Sequence, residues 1–125
     1  MSFDAKGMTG NLEKLGRARS FFSVSTWKDR VFRLEGQRLT YWDPAEPSKI
    51  LGEISTEGCV VMHPVPSKDK KHFIFHVKTI ANSVNEKAEV LEYNATRGAK
   101  ERKLWADSIQ TSANNPNWRS HDHST

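Results

Sequence analysis

Short apolar and β-branched runs recur along this chain at about ten-residue spacing, each closed by Gly, Pro, Asn or Ser, and that rhythm admits few folds. Runs of this length, bounded by turn formers, read as consecutive antiparallel strands. Seven are expected, at residues 11–15, 28–35, 38–42, 50–55, 58–62, 72–79 and 87–94, with Glu35-Gly36-Gln37 turning the second into the third. Asp43-Pro44-Ala45-Glu46-Pro47 and Pro64-Val65-Pro66 cannot continue a hydrogen-bonded ladder and mark loops. From Ala99 the period changes. Residues 100–109 are rich in helix formers, and Trp105 and Ile109 stand four apart on one face. A helix with one large aromatic on its apolar face suits a lid on a small barrel, with Trp105 as the plug.

The fold class is therefore all-β with one C-terminal α-helix. The length of 125 residues suits one core, read here as residues 10–113 between a polar start (1–9) and a polar end (114–125), both expected to be loose. No apolar stretch reaches the eighteen or so residues of a membrane-spanning helix. The start resembles neither a signal peptide nor a myristoylation site, and the single cysteine, Cys59, allows neither an intrachain disulfide nor a cysteine-based zinc site. These features read as a cytoplasmic protein, and the Asn94-Ala95-Thr96 sequon is set aside with them.

Nineteen Lys and Arg against fifteen Asp and Glu leave a net charge of +4, which favours anionic partners. Its location is more informative. Between Lys14 and Arg33 there are six cations and one acid. Side chains alternate along a strand, so Lys28, Arg30, Phe32 and Leu34 share one face while Asp29, Val31 and Arg33 share the other. The first set runs basic, basic, apolar, apolar, as expected of a strand passing from the rim of a barrel into its interior. Leu12 and Lys14 run the opposite way on the preceding strand, and Leu39 and Tyr41 lie on the following one. Lys14, Lys28, Arg30 and the Tyr41 hydroxyl should meet in one small patch. Opposed like charges repel in the empty protein and become favourable when an anion bridges them. Such a set suits a phosphate: arginine grips two oxygens, lysine acts as a point charge, and tyrosine donates without adding charge.

The segment between the first two strands adds Arg17 and Arg19, with Phe21, Phe22 and Val24 beside them. Arginines facing anionic headgroups and apolar side chains entering the interface would make it a membrane-dipping loop. The competing reading tucks the phenylalanines into the core.

In their order along the chain, these residues resemble the pleckstrin homology (PH) domain, over about residues 10–112. Gly10-Asn11-Leu12-Glu13-Lys14 is similar to that family's first strand, Trp27-Lys28-Asp29-Arg30-Val31-Phe32-Arg33-Leu34 to its second and Leu39-Thr40-Tyr41-Trp42 to its third, and Trp105 matches the tryptophan of its closing helix. The resemblance implies a seven-stranded bent sandwich or partly open barrel capped by the helix. It further implies a site for phosphoinositide or phosphatidic acid headgroups, with Lys14, Lys28, Arg30 and Tyr41 in the phosphate-gripping roles. The loop after the third strand departs from high-affinity trisphosphate readers, since it carries two acids and offers only Lys49 as a further cation. A smaller headgroup fits that loop better.

The expected role is a monomeric module recruited to anionic lipid on the cytosolic face of a membrane. The alternative is a protein-binding module of the same superfold with only weak lipid binding. Basic residues beside aromatics also describe a nucleic-acid groove, but here the aromatics sit in one loop rather than along a sheet face, so no nucleic-acid partner is expected. No catalytic motif is present, and neither a metal nor a cofactor is implied. His72 and His76 read as surface or rim residues, and Lys68, Lys70 and Lys71 as a solvated cluster.

Overall fold

The computed structural model describes residues 2–4, 6–16, 26–63 and 72–119. The elements are β1 (Ser2–Phe3), β2 (Gly7–Leu15), β3 (Trp27–Glu35), β4 (Arg38–Trp42), β5 (Ile50–Ser55), β6 (Val60–Met62), β7 (Ile74–Lys78), β8 (Val90–Asn94) and α1 (Ala99–Ser112). All strand pairings are antiparallel, in the order β5-β4-β3-β2-β8-β7-β6, with β1 added to β2. The sheet is open between β5 and β6. It also splays along one edge of β2, where Glu13 and Lys14 pair with β8 but Met8 and Thr9 pair with β1. An all-β body closed by one helix is the architecture expected from the strand rhythm, although eight strands are present where seven were expected.

The extra strand arises because β2 starts at Gly7, four residues earlier than its apolar pattern suggests. Met8 is fully buried opposite Leu34, and Phe3 of β1 pairs with it from the other side. At the chain's other end, Trp118 is only 1% exposed, and its backbone N–H donates to the Asn115 carbonyl at 3.0 Å. Packed residues thus extend past the limits of 10 and 113 read from the sequence. The strands expected at 72–79 and 87–94 are shorter, Ile74–Lys78 and Val90–Asn94, and residues 79–89 form the loop between them. The Asn85 amide donates to the Ser55 and Ile80 carbonyls at 2.8 and 3.1 Å, and its oxygen accepts from the Ser55 N–H at 2.8 Å, pinning the loop against β5.

The inward faces of the strands and one face of α1 form the core, including Leu12, Phe32, Leu34, Leu39, Phe75, Val77, Tyr93, Trp105 and Ile109. Phe32 stands at its centre. Its ring meets those of Tyr41, Tyr93 and Trp105 at 5.3, 5.2 and 6.5 Å, the first stacked and the others edge-on, arrangements that add to simple burial. Trp105, fully buried, does plug the sheet. The helix is fixed by specific bonds: the Gln110 side chain accepts from Val61 N–H at 2.8 Å and donates to the Cys59 carbonyl at 3.2 Å. The Gln37 amide donates to the Ser112 and Ala113 carbonyls, both at 3.1 Å, satisfying groups that a helix end leaves orphaned. The turn carrying Gln37 depends on Gly36, whose φ of +58° most side chains avoid.

Candidate functional site

Strand register decides which side chains meet at the open end. Lys14 lies directly opposite Lys28, Leu12 opposite Arg30 and Gly10 opposite Phe32, and on the other flank Phe32 faces Tyr41. These residues share one face, apolar toward the middle of the sheet and cationic toward Gly16 and Thr26, where a Gly16 N–H to Thr26 carbonyl bond of 2.9 Å closes the hairpin base. Lys14, Lys28, Arg30 and Tyr41 all line a cavity of about 940 Å³ that Gly52, Glu53, Ile54 and residues 89–92 also border. The same four residues, with Gly16 and Leu51, line a second cavity of about 160 Å³.

Within this site the groups are constrained unequally. Tyr41 is half-buried, stacked on Phe32 and pressed against β5, where a Cβ added at Gly52 would stand 2.5 Å from its ring. Only a glycine permits that approach. Burial raises the Tyr41 pKa; Arg30 opposes the rise and the charge of Glu89 adds to it. The phenol therefore stays protonated at neutral pH and can donate a hydrogen bond. The Lys14 ammonium sits 5.6 Å above the Tyr41 ring, within cation–π range. Arg30 donates to the Asp29 carbonyl at 2.9 Å and approaches the Asp43 carboxylate at 3.9 Å, which holds it at the rim. Arg33 lies on the opposite face, bound to Asp4 at 3.0 Å and to Glu35 at 3.1 Å, as strand alternation requires.

The structure thus brings together Lys14, Lys28, Arg30 and Tyr41. Lys49 is exposed in the β4–β5 loop and lines neither cavity. Arg17, Arg19, Phe21, Phe22 and Val24 lie outside the described residues, as do Lys68, Lys70 and Lys71. His72 stacks on Trp27 at 5.9 Å, and His76 faces Glu92 at 3.6 Å. Cys59 is buried, which pushes its thiol up to about 11 and keeps it protonated and inert. Asn94 of the sequon is 2% exposed, its side chain accepting from Phe73 N–H at 2.7 Å and donating to Glu13 at 2.7 Å.

Three features escaped the sequence reading. Gly52 provides the seat for the Tyr41 ring. Ile50 and Leu51 are exposed apolar residues, 64% and 40%, and Leu51 borders the smaller cavity. Glu89 borders the larger cavity just before β8, where the Thr79 N–H donates to its carbonyl at 2.9 Å, two residues from the buried Leu91. The spacing of Glu89 from Leu91 and Tyr93 was the signal that could have revealed it.

Solved structures with the same architecture include the carboxyl-terminal PH domain of pleckstrin (26% identity, TM-score 0.66, covering 88% of this chain and 99% of that one). The same pleckstrin domain in complex with D-myo-Ins(1,2,3,4,5)P5 is 30% identical, with a TM-score of 0.64 and coverage of 85% and 96%. The PH domain of human oxysterol binding protein-related protein 11 is 25% identical, with a TM-score of 0.59 and coverage of 88% and 82%. A search of curated proteins finds no match. A family model for the PH domain matches residues 6–114, and on that match the chain belongs to the PH domain family.

Proposed function

We propose that this domain binds anionic lipid headgroups, phosphoinositide or phosphatidic acid, at the cavity rimmed by Lys14, Lys28, Arg30 and Tyr41, and so recruits its protein to the cytosolic face of a membrane. The observation that carries this reading is the register: two lysines placed directly opposite one another, with an arginine two residues along the same face, form an arrangement that an anion relieves. A pleckstrin PH domain of the same architecture has been crystallised with inositol pentakisphosphates, which lends the reading support from a relative. The domain binds without performing chemistry.

Charge alone is insufficient for stable residence. At about 1 kcal/mol per cation near an anionic leaflet, Lys14, Lys28 and Arg30 supply about 3 kcal/mol, a millimolar affinity. Stereospecific bonds to the phosphate and apolar contact must supply the rest. Phe21, Phe22 and Val24 are proposed for that contact, and the exposed Ile50 and Leu51 lie beside the same rim.

Co-sedimentation with liposomes across a headgroup series tests this. Lys28→Ala/Arg30→Ala should abolish headgroup preference, whereas Phe21→Ala/Phe22→Ala should weaken residence and keep the preference. Equal pelleting of the wild type and the rim double mutant would refute the assignment.

A further inference from the structure

A short run of exposed apolar surface sits at the cationic rim and owes its place to a break in the sheet. β5 pairs with β4 in regular register from Ser55 to Gly52, which lies opposite Tyr41. The next pair is Ile50 with Trp42, so Leu51 falls between them and faces no residue of β4. A bulge of this kind re-aims the side chains it carries. Strict alternation would turn Ile50 inward with Gly52 and the buried Ile54. Instead Ile50 stands more exposed than any other large apolar side chain among the described residues, and Leu51 borders the smaller cavity beside Lys28, Arg30 and Tyr41. Lys49, also exposed, precedes them. Lone apolar residues on a surface are ordinary. Two in succession, thrust out by a bulge beside a cationic pocket and preceded by a lysine, form an amphipathic edge.

Resting on the headgroup reading above, we propose that Ile50 and Leu51 form a membrane-contacting element of their own, which enters the interfacial layer of an anionic bilayer when the rim takes a headgroup. Continuity argues for lipid as the occupant. Leu51 borders the space assigned to the phosphate, so a surface that presents a headgroup to Lys28 and Arg30 also meets this edge. A bilayer answers both demands at one place, with charge at the headgroups and hydrocarbon beneath them. Lys49 can lay its stem along the apolar pair while its ammonium stays among the phosphates. Val84, exposed to a comparable degree, lies elsewhere: it precedes Asn85, which is bonded to Ser55 at the opposite end of β5 from Ile50, roughly 17 Å away. It serves as an internal control.

The test compares wild type, Ile50→Ala/Leu51→Ala and Val84→Ala. One arm uses phosphatidylcholine vesicles carrying phosphatidic acid or a phosphatidylinositol bisphosphate. The other uses the matching soluble headgroups, glycerol 3-phosphate and an inositol trisphosphate. Each methylene-sized group withdrawn from water is worth about fourfold in a binding constant, so truncating both side chains should weaken vesicle binding about tenfold even with shallow entry, and leave soluble headgroup binding within about twofold. Val84→Ala should change neither. In a second measurement, an environment-sensitive dye on Ile50→Cys should shift to the blue and be quenched by spin-labelled lipid on vesicle binding, whereas the same dye on Val84→Cys should do neither; the native Cys59 is buried. Vesicle binding unchanged by the double truncation, or a dye at position 50 that stays in water on docked vesicles, would overturn the lipid contact, leaving the edge for a protein and the headgroup site standing. An equal loss of soluble headgroup binding would overturn it too, since Leu51 would then act on the phosphate and not on the bilayer. Failure of every phosphate-bearing probe to bind would overturn the headgroup reading, and this inference with it.

Discussion

Replacing Lys28 with glutamine should make the empty domain more stable and the liganded domain less so. Lys28 stands opposite Lys14 and two residues from Arg30 on the same face. The separation across the strands is about 5 Å and that along the strand about 7 Å. In a near-aqueous dielectric the two repulsions are about 0.8 and about 0.6 kcal/mol. Together they come to about 1.4 kcal/mol at low ionic strength, partly offset by lost attraction to Glu89, and they shrink by roughly half at 0.15 M salt because the Debye length there is about 8 Å. Urea denaturation in anion-free buffer should show Lys28→Gln gaining several tenths of a kcal/mol, a gain that vanishes in 1 M NaCl. Repeating it with inositol 1-phosphate should invert the ranking, since a ligand at one hundred times its dissociation constant stabilises the folded state by about 2.7 kcal/mol. A variant less stable than wild type at low salt without anion, or an equal ligand-induced gain in both proteins, would refute the view that these cations are held in mutual repulsion for a phosphate.

Two further outcomes follow from packing and charge. Trp118→Ala should cost about 3–5 kcal/mol in urea denaturation despite its place near the polar end of the chain, because the indole is buried in the core; a loss under about 1 kcal/mol would show that it is not packed there. Arg33 and the backbone N–H groups of Lys6 and Gly7 hold the Asp4 carboxyl at about 2, below its ordinary 3.8. The stabilisation is therefore complete above pH 3.8 and lost as pH falls toward 2, so wild type should lose more stability across that window than Asp4→Asn. Superimposable melting curves for the two proteins between pH 2 and 5 would contradict this.

What the sequence disclosed was what strand alternation governs. Once Lys28, Arg30, Phe32 and Leu34 are put on one face, the antiparallel partners Lys14 and Tyr41 follow, and the observed register brings all of them to one rim. Trp105 was legible because a lone large aromatic at helical spacing has few other uses. What stayed hidden depends on long-range contact. Trp118 looks like part of a polar tail until the β3–β4 turn is set against it. Gly52 looks like a weak point in a strand until the Tyr41 ring is laid across it, and the loop at 79–89 is held by Asn85 reaching back some thirty residues to Ser55.

A further cleft, bordered by Lys6, Glu35, Gly36, Pro116, Trp118 and Arg119, marks where the two ends of the described chain converge, beside the β3–β4 turn. From Lys28 to Gly36 the chain travels roughly 26 Å at about 3.3 Å per residue, so this convergence lies at the far pole of the molecule from the cationic rim. On the headgroup reading proposed above, a fluorescent label carried on Lys6 or Arg119 would sit on the side of the domain turned away from the membrane. Labels at these two positions therefore leave the surface under test unobstructed.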